Sequence, residues 1–161
     1  MFGDILEKNE EIIRVIKPDK KRFMRGQWHI CLFFLLPGWG QLFLVLFALF
    51  LWPVVVRIFK NNYENRFYAY TNKRILIRKG IIGTDYKSLE YRSITATIVQ
   101  VGFLDKALKT NTGTIEFGSP ASPIGGGGKN APGNPYVFTA VKAPYDTLRE
   151  IKEYMDSKNV I

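Results

Sequence analysis

From Gly26 to Val56 the chain carries no Lys, Arg, Asp or Glu, a run of 31 residues in a sequence of 161. As one straight α-helix such a run would extend ~46 Å, against a bilayer hydrocarbon core of ~30 Å. Its middle reads Pro37-Gly38-Trp39-Gly40. Proline removes a backbone donor and glycine lowers helix propensity, so this tetrapeptide predicts a turn. The run therefore reads as a helical hairpin, with one arm from about Phe23 to Leu36 and another from about Gln41 to Ile58. It starts too late and runs too long for a signal-peptide core.

The flanks carry the charge that the run lacks. Lys17, Lys20, Lys21, Arg22 and Arg25 precede the first arm, and Arg57, Lys60 and Arg66 follow the second. Positive flanks stay in the cytoplasm, so the expectation is a cell-membrane protein with both termini cytoplasmic. Trp28, Trp39 and Trp52 lie near the ends of the arms and, with Arg25 and Arg57, are the candidate interface anchors. The uncharged part of the first arm, Gly26–Leu36, is only ~16 Å of helix. Two full spans and a re-entrant wedge in one leaflet both remain open. Pro53 should kink the second arm or mark its exit.

Outside the run the sequence is that of a soluble β-rich domain. Glu11–Lys17 is rich in β-branched residues and predicts a strand, after a turn of helix at Phe2–Leu6. Further strands are expected at 66–70 and 74–78, joined by the turn Thr71-Asn72-Lys73, and at 85–90, 94–101, 112–117 and 136–141. Gly118–Pro135 holds six Gly and four Pro, which predicts a long mobile loop. Pro144 opens an expected amphipathic helix over 144–156, with Leu148, Ile151 and Met155 on one face. The domains expected are thus an N-terminal segment 1–20, the hairpin 21–60, and a β-domain 61–161.

Two groups of residues carry a resemblance. One is Tyr70-Thr71-Asn72-Lys73-Arg74-Ile75-Leu76-Ile77-Arg78-Lys79-Gly80-Ile81-Ile82, preceded by the acidic start Asn9-Glu10-Glu11-Ile12-Ile13. The other is Leu89-Glu90-Tyr91-Arg92-Ser93-Ile94 with Gly113-Thr114-Ile115-Glu116-Phe117. Together they resemble bacterial membrane proteins with a pleckstrin-homology-like (PH-like) domain, over roughly residues 9–155. The resemblance implies an α+β membrane protein. Its apolar hairpin is followed by two bent antiparallel sheets, a β-barrel or sandwich, capped by a C-terminal helix.

Catalytic chemistry finds little to work with. Gly125-Gly126-Gly127-Gly128-Lys129-Asn130 fails the phosphate-loop pattern, because Pro123 stands where its first Gly is needed and Asn130 where Ser or Thr is needed. A single His29 and a single Cys31, both in the apolar run, supply no metal cluster and no nucleophile–base pair. Neither cofactor nor metal is expected, and the protein is read as non-catalytic.

The net charge of +9 suits an anionic partner. No carboxylate interrupts the sequence from Arg66 to Ile82, so Lys73, Arg74, Arg78 and Lys79 are the candidate contacts to anionic lipid; protection of a strand edge by its charges is the competing reading. The function expected is a membrane-anchored PH-like interaction module, binding membrane lipids, another membrane protein or its own copies. A basic nucleic-acid-binding protein and an unrecognised membrane enzyme are the alternatives. No stacking platform supports nucleic acid, which is not an expected partner.

Overall fold

A computed structural model describes residues 2–27, 41–80, 83–107, 109–124 and 134–157. Four strands, β1 (Ile12–Ile16), β2 (Phe67–Thr71), β3 (Arg74–Lys79) and β4 (Asp85–Glu90), form one antiparallel sheet in that order. The strands β5 (Ala96–Gln100), β6 (Thr112–Gly118) and β7 (Val137–Lys142) form a second. The elements α1 (Lys20–Gln27), α2 (Gln41–Glu64), α3 (Phe103–Ala107) and α4 (Pro144–Ser157) complete the described chain. Among the described residues the two sheets do not close into a barrel; the sandwich alternative is the one observed.

Alternation sets the core. Tyr68 and Tyr70 of β2, Ile75 and Ile77 of β3 and Leu89 of β4 point inward to meet Ile115, Phe117, Phe138 and Val141 of the second sheet. The α4 face expected from its periodicity, Ile151 and Met155, closes this core, and Leu148 packs against its edge. Phe138 is its hub, stacked on Tyr68 at 4.5 Å between centroids and edge-on to Phe117 at 5.1 Å. The Tyr91 hydroxyl donates to the Thr71 carbonyl at 2.5 Å inside this core. Tyr91→Phe removes that bond and should lower unfolding stability by about 1 kcal/mol, read as a lower urea midpoint at unchanged slope. An unmoved midpoint would show that the bond adds nothing beyond what water gives the unfolded chain.

The outer face of the first sheet is covered too, which explains why β2 and β3 are buried almost throughout. Phe2 packs on Ala69 and Leu76, with Ile5, Leu6, Ile12 and Phe67 around it. Residues 2–10 thus form a strap, including a 3-10 turn at Gly3–Ile5 where a turn of helix is expected. The N-terminal segment is therefore part of the sheet, not an appendage. β1 pairs with β2 from Ile12↔Thr71 to Ile16↔Tyr68, so the helical segment is an insertion between two neighbouring strands. Its second helix continues to Glu64, beyond the expected boundary at residue 60.

The second expected arm is α2, and Pro53 lies inside this helix. Among the described residues no helix is long and apolar enough to cross a membrane. The uncharged part of α2, Gln41–Val56, amounts to ~24 Å, short of the ~30 Å core. Phe50 (86 % exposed), Val54 and Val56 are nevertheless bare on its surface. The first arm beyond Gln27, the turn 37–40, Trp28, His29, Cys31 and Trp39 lie outside the described residues, as does the side chain of Trp52. Of the expected loop 118–135, both ends are ordered. Ser119 and Ser122 exchange backbone hydrogen bonds, and Asn134 donates to the Phe117 carbonyl at 2.8 Å. Residues 125–133 lie outside the description.

Candidate functional site

The four cations singled out by the sequence do not stay together. β3 runs from Arg74 at one end of the sandwich to Lys79 at the other, ~16 Å away at 3.3 Å per residue. The end that holds the β2–β3 turn is here called distal. The opposite end, where the helices join the sheet, is the foot.

At the distal end the cations are already matched by carboxylates. Arg74 donates from Nη2 to Glu10 Oε2 at 2.8 Å and from Nε to Oε1 at 2.9 Å, a bidentate pair with the Glu10 side chain fully enclosed. Arg74 Nη2 also donates to the Ile5 carbonyl at 2.9 Å, and Nη1 lies 3.2 Å from Glu7. Burial alone would push the Glu10 carboxyl up. The hydrogen bonds from Arg74, the Glu7 amide and Thr71 overcome this and hold it down at about 2. Lys73 reaches Glu7 and the Lys8 carbonyl, and Asn72 ties down Glu11 and Asn9. An open cleft of about 310 Å³ lies here, between Glu7, Lys73, Arg74, Glu90 and Arg92, with both signs of charge on its walls. The turn sequence is a latch for the strap. The stretch free of carboxylates in the sequence acquires Glu7 and Glu10 from the N-terminal segment.

The foot is different. Arg78 lies over the rings of Phe67 and Tyr86, at 6.0 and 5.8 Å. Lys17, just past β1, stands 4.8 Å from both the Tyr63 and Phe67 rings. Arg66 covers Phe23 of α1 at 4.9 Å while its Nη atoms donate to Thr139 and Asn62. Its Nε is buried without a hydrogen-bond partner among the described residues. Lys79 is half-buried, and its ammonium is pushed below its ordinary value first by burial, then by Lys87 and Arg66, with Asp85 opposing. Five cations, Lys17, Arg66, Arg78, Lys79 and Lys87, thus crowd one end of the sandwich, interleaved with aromatic rings.

The helices emerge from the same end. Phe23 of α1 meets Tyr63 of α2 at 5.8 Å between ring centroids, and the Asp19 amide donates to the Ala140 carbonyl of β7 at 2.7 Å. The anchor candidates Arg25 and Arg57 both sit on the exposed surface of these helices, beyond the foot. Sequence reading missed Lys17, Arg66 and Lys87 as site residues. Arg66 was legible as part of the flanking charge, whereas nothing local marks Lys87, which arrives through the pairing Ile77↔Lys87.

Among the described residues no three potential metal-ligating side chains gather. A family model described as a bacterial PH domain matches residues 29–155. No curated protein and no solved structure matches the chain.

Proposed function

The chain belongs to the bacterial PH domain family, and from that premise we propose a membrane-anchored interaction module whose β-domain sets its foot on anionic lipid headgroups. PH domains are generally non-catalytic interaction modules, and the sandwich with its C-terminal helix fits that fold. The apolar insertion holds the module to the cell membrane, with both termini on the cytoplasmic side.

One observation carries this reading: the position of the basic foot relative to the end of the uncharged stretch. The uncharged run ends within α2 at Val56, and Tyr63, whose ring lies 4.8 Å from Lys17 of the foot, follows seven residues later. That is ~10 Å of helix, comparable with the ~5–8 Å depth of one headgroup layer. A helix seated up to Val56 therefore delivers Lys17, Arg66, Arg78, Lys79 and Lys87 to the level of the lipid phosphates. Each near-surface cation contributes ~1 kcal/mol toward an anionic leaflet. The helix ends share one side of the sandwich, which supports a common side for both termini, and their basic flanks make that side cytoplasmic. Lys73 and Arg74 face away at the distal end and take no part.

A fragment beginning near Asn61 would lack β1 and the strap, so the test uses the full chain. A nitroxide at Thr84, in the exposed β3–β4 turn, is attached after Thr84→Cys and Cys31→Ser. In vesicles rich in phosphatidylglycerol it should be shielded from a water-soluble relaxation agent, and in phosphatidylcholine vesicles it should be open. Raising salt from 0.1 to 1 M shortens the Debye length from ~10 to ~3 Å and should open it again. Lys79→Gln with Lys87→Gln removes two cations, ~2 kcal/mol, so the ratio of docked to undocked domain should fall roughly thirtyfold. Equal shielding in both lipids would refute headgroup docking and favour a protein partner or a second copy at the foot.

A further inference from the structure

Phe103, the first residue of α3, is 83 % exposed, as bare as Phe50 on α2. A single exposed apolar side chain needs no explanation. What distinguishes this one is the construction beneath it. Asp105, two residues on, is buried and forms an ion pair with Arg22 of α1. Thr112 donates to the same carboxylate at 2.8 Å and Thr110 at 3.3 Å. Burial would raise the Asp105 carboxyl, but Arg22 and the threonine hydroxyls hold it below its ordinary value, so it stays ionised. The amides of Asp105 and Lys106 both donate to the Gly102 carbonyl, and a Cβ at Gly102 would stand 3.0 Å from the Asp105 carboxylate. A side chain at Gly102 would press on this ion pair and make the Asp105 carboxylate give way by a few tenths of an ångström.

The loop is therefore clamped to the first turn of α1, the helix that leads into the uncharged run. Arg22 lies four residues before Gly26, where that run begins. Arg22 is followed by Phe23, which Arg66 of the foot covers, so the turn that bears Phe103 is held beside the foot, on the side of the second sheet. Lys106 and Lys109 are exposed behind it, with Lys109 turning the chain through a left-handed φ of 49°. An aromatic tip backed by two lysines suits a lipid–water boundary: the ring enters the acyl edge while the ammonium groups stay among the phosphates. The charges of Lys106 and Lys109 complement an anionic leaflet, and the loop continues the face that the foot presents.

We infer that Phe103, with Lys106 and Lys109, forms a second membrane contact, in which the Phe103 ring inserts into the leaflet beside the helical insertion. The inference rests on the proposed membrane docking, since it needs α1 to lead into lipid. It adds an apolar, salt-insensitive contact to the electrostatic one at the foot.

The test again uses the full Cys31→Ser chain in vesicles, with nitroxides at Phe103→Cys and, as a distal control, Lys73→Cys. Position 103 should be severalfold less accessible to a water-soluble nickel chelate than position 73 and more accessible to oxygen. The difference should persist in phosphatidylcholine and at high salt, where the Thr84 label opens. If 103 is as open to water as 73 while Thr84 is shielded, the inference fails and headgroup docking stands. Shielding at 103 with Thr84 open in every lipid would sustain the insertion and overturn the electrostatic reading. Shielding accompanied by spin–spin broadening that disappears on dilution with unlabelled chain would place a second copy, not lipid, against Phe103.

Discussion

Arg74→Met is expected to destabilise the protein by about 3–5 kcal/mol, because it strands the Glu10 carboxylate inside the fold without its counterion. The same change frees the Ile5 carbonyl and loosens the strap over Ala69 and Leu76. Urea unfolding of the full chain in mild detergent measures it. Glu10→Gln in the Arg74→Met background should recover part of the loss, since a neutral amide costs less to bury than an unpaired charge. The pH dependence has a definite sign. In the native protein the Glu10 carboxyl is depressed to about 2, so its contribution is complete above the ordinary value near 4.5 and disappears as pH falls toward 2. In Arg74→Met the lowering by Arg74 is gone while burial still raises that carboxyl, so the variant gains less stability than the native protein as pH rises. The gap between the two proteins should be widest at neutral pH and narrow on acidification. A gap independent of pH would mean that Arg74 acts through packing and not through its charge.

Phe138→Ala should cost a similar amount, about 3–5 kcal/mol, by opening a cavity at the junction of the two sheets. Phe138 is fully buried and contacts Tyr68 across the sandwich and Phe117 within its own sheet. Phe138→Leu keeps much of the volume and should lose markedly less. The urea midpoint again reports the loss. Similar costs for Leu and Ala would show that ring stacking on Tyr68, not filled volume, is what this position supplies.

The sequence was a good guide wherever local physics decides the structure. Short runs of β-branched and aromatic residues bounded by turns located the strands within a residue or two, and the spacing of Ile151 and Met155 identified the buried face of α4. The carboxylate-free stretch 66–82 was read correctly as a string of residues and misleadingly as a surface. Glu7 and Glu10 arrive at Lys73 and Arg74 from more than sixty residues away in sequence, which no local window contains. The foot was illegible for the same reason: Lys17, Arg66 and Lys87 lie on three different segments and meet only through strand register. The acidic start Glu10-Glu11 was noticed as part of a resemblance. Its physical reason, a counterion for Arg74, appears only when β1 is placed beside β2.

That placement has a consequence for synthesis. β1 leaves the ribosome fifty residues before β2, with residues 17–66 between them. Until β2 emerges, Ile12–Ile16 has no neighbour on which to form its ladder, and Phe2, Ile5 and Leu6 have no sheet to cover. Closing a fifty-residue gap between free ends carries an entropic cost that rises with the logarithm of its length. Pairing of Phe23 with Tyr63 shortens that gap to a few residues on each side, since it sets the end of β1 against the start of β2. The two helices thus serve as a template for the nascent chain. Because the strap is held by Arg74 of β3, it can be fastened only after β3 has followed β2 from the ribosome.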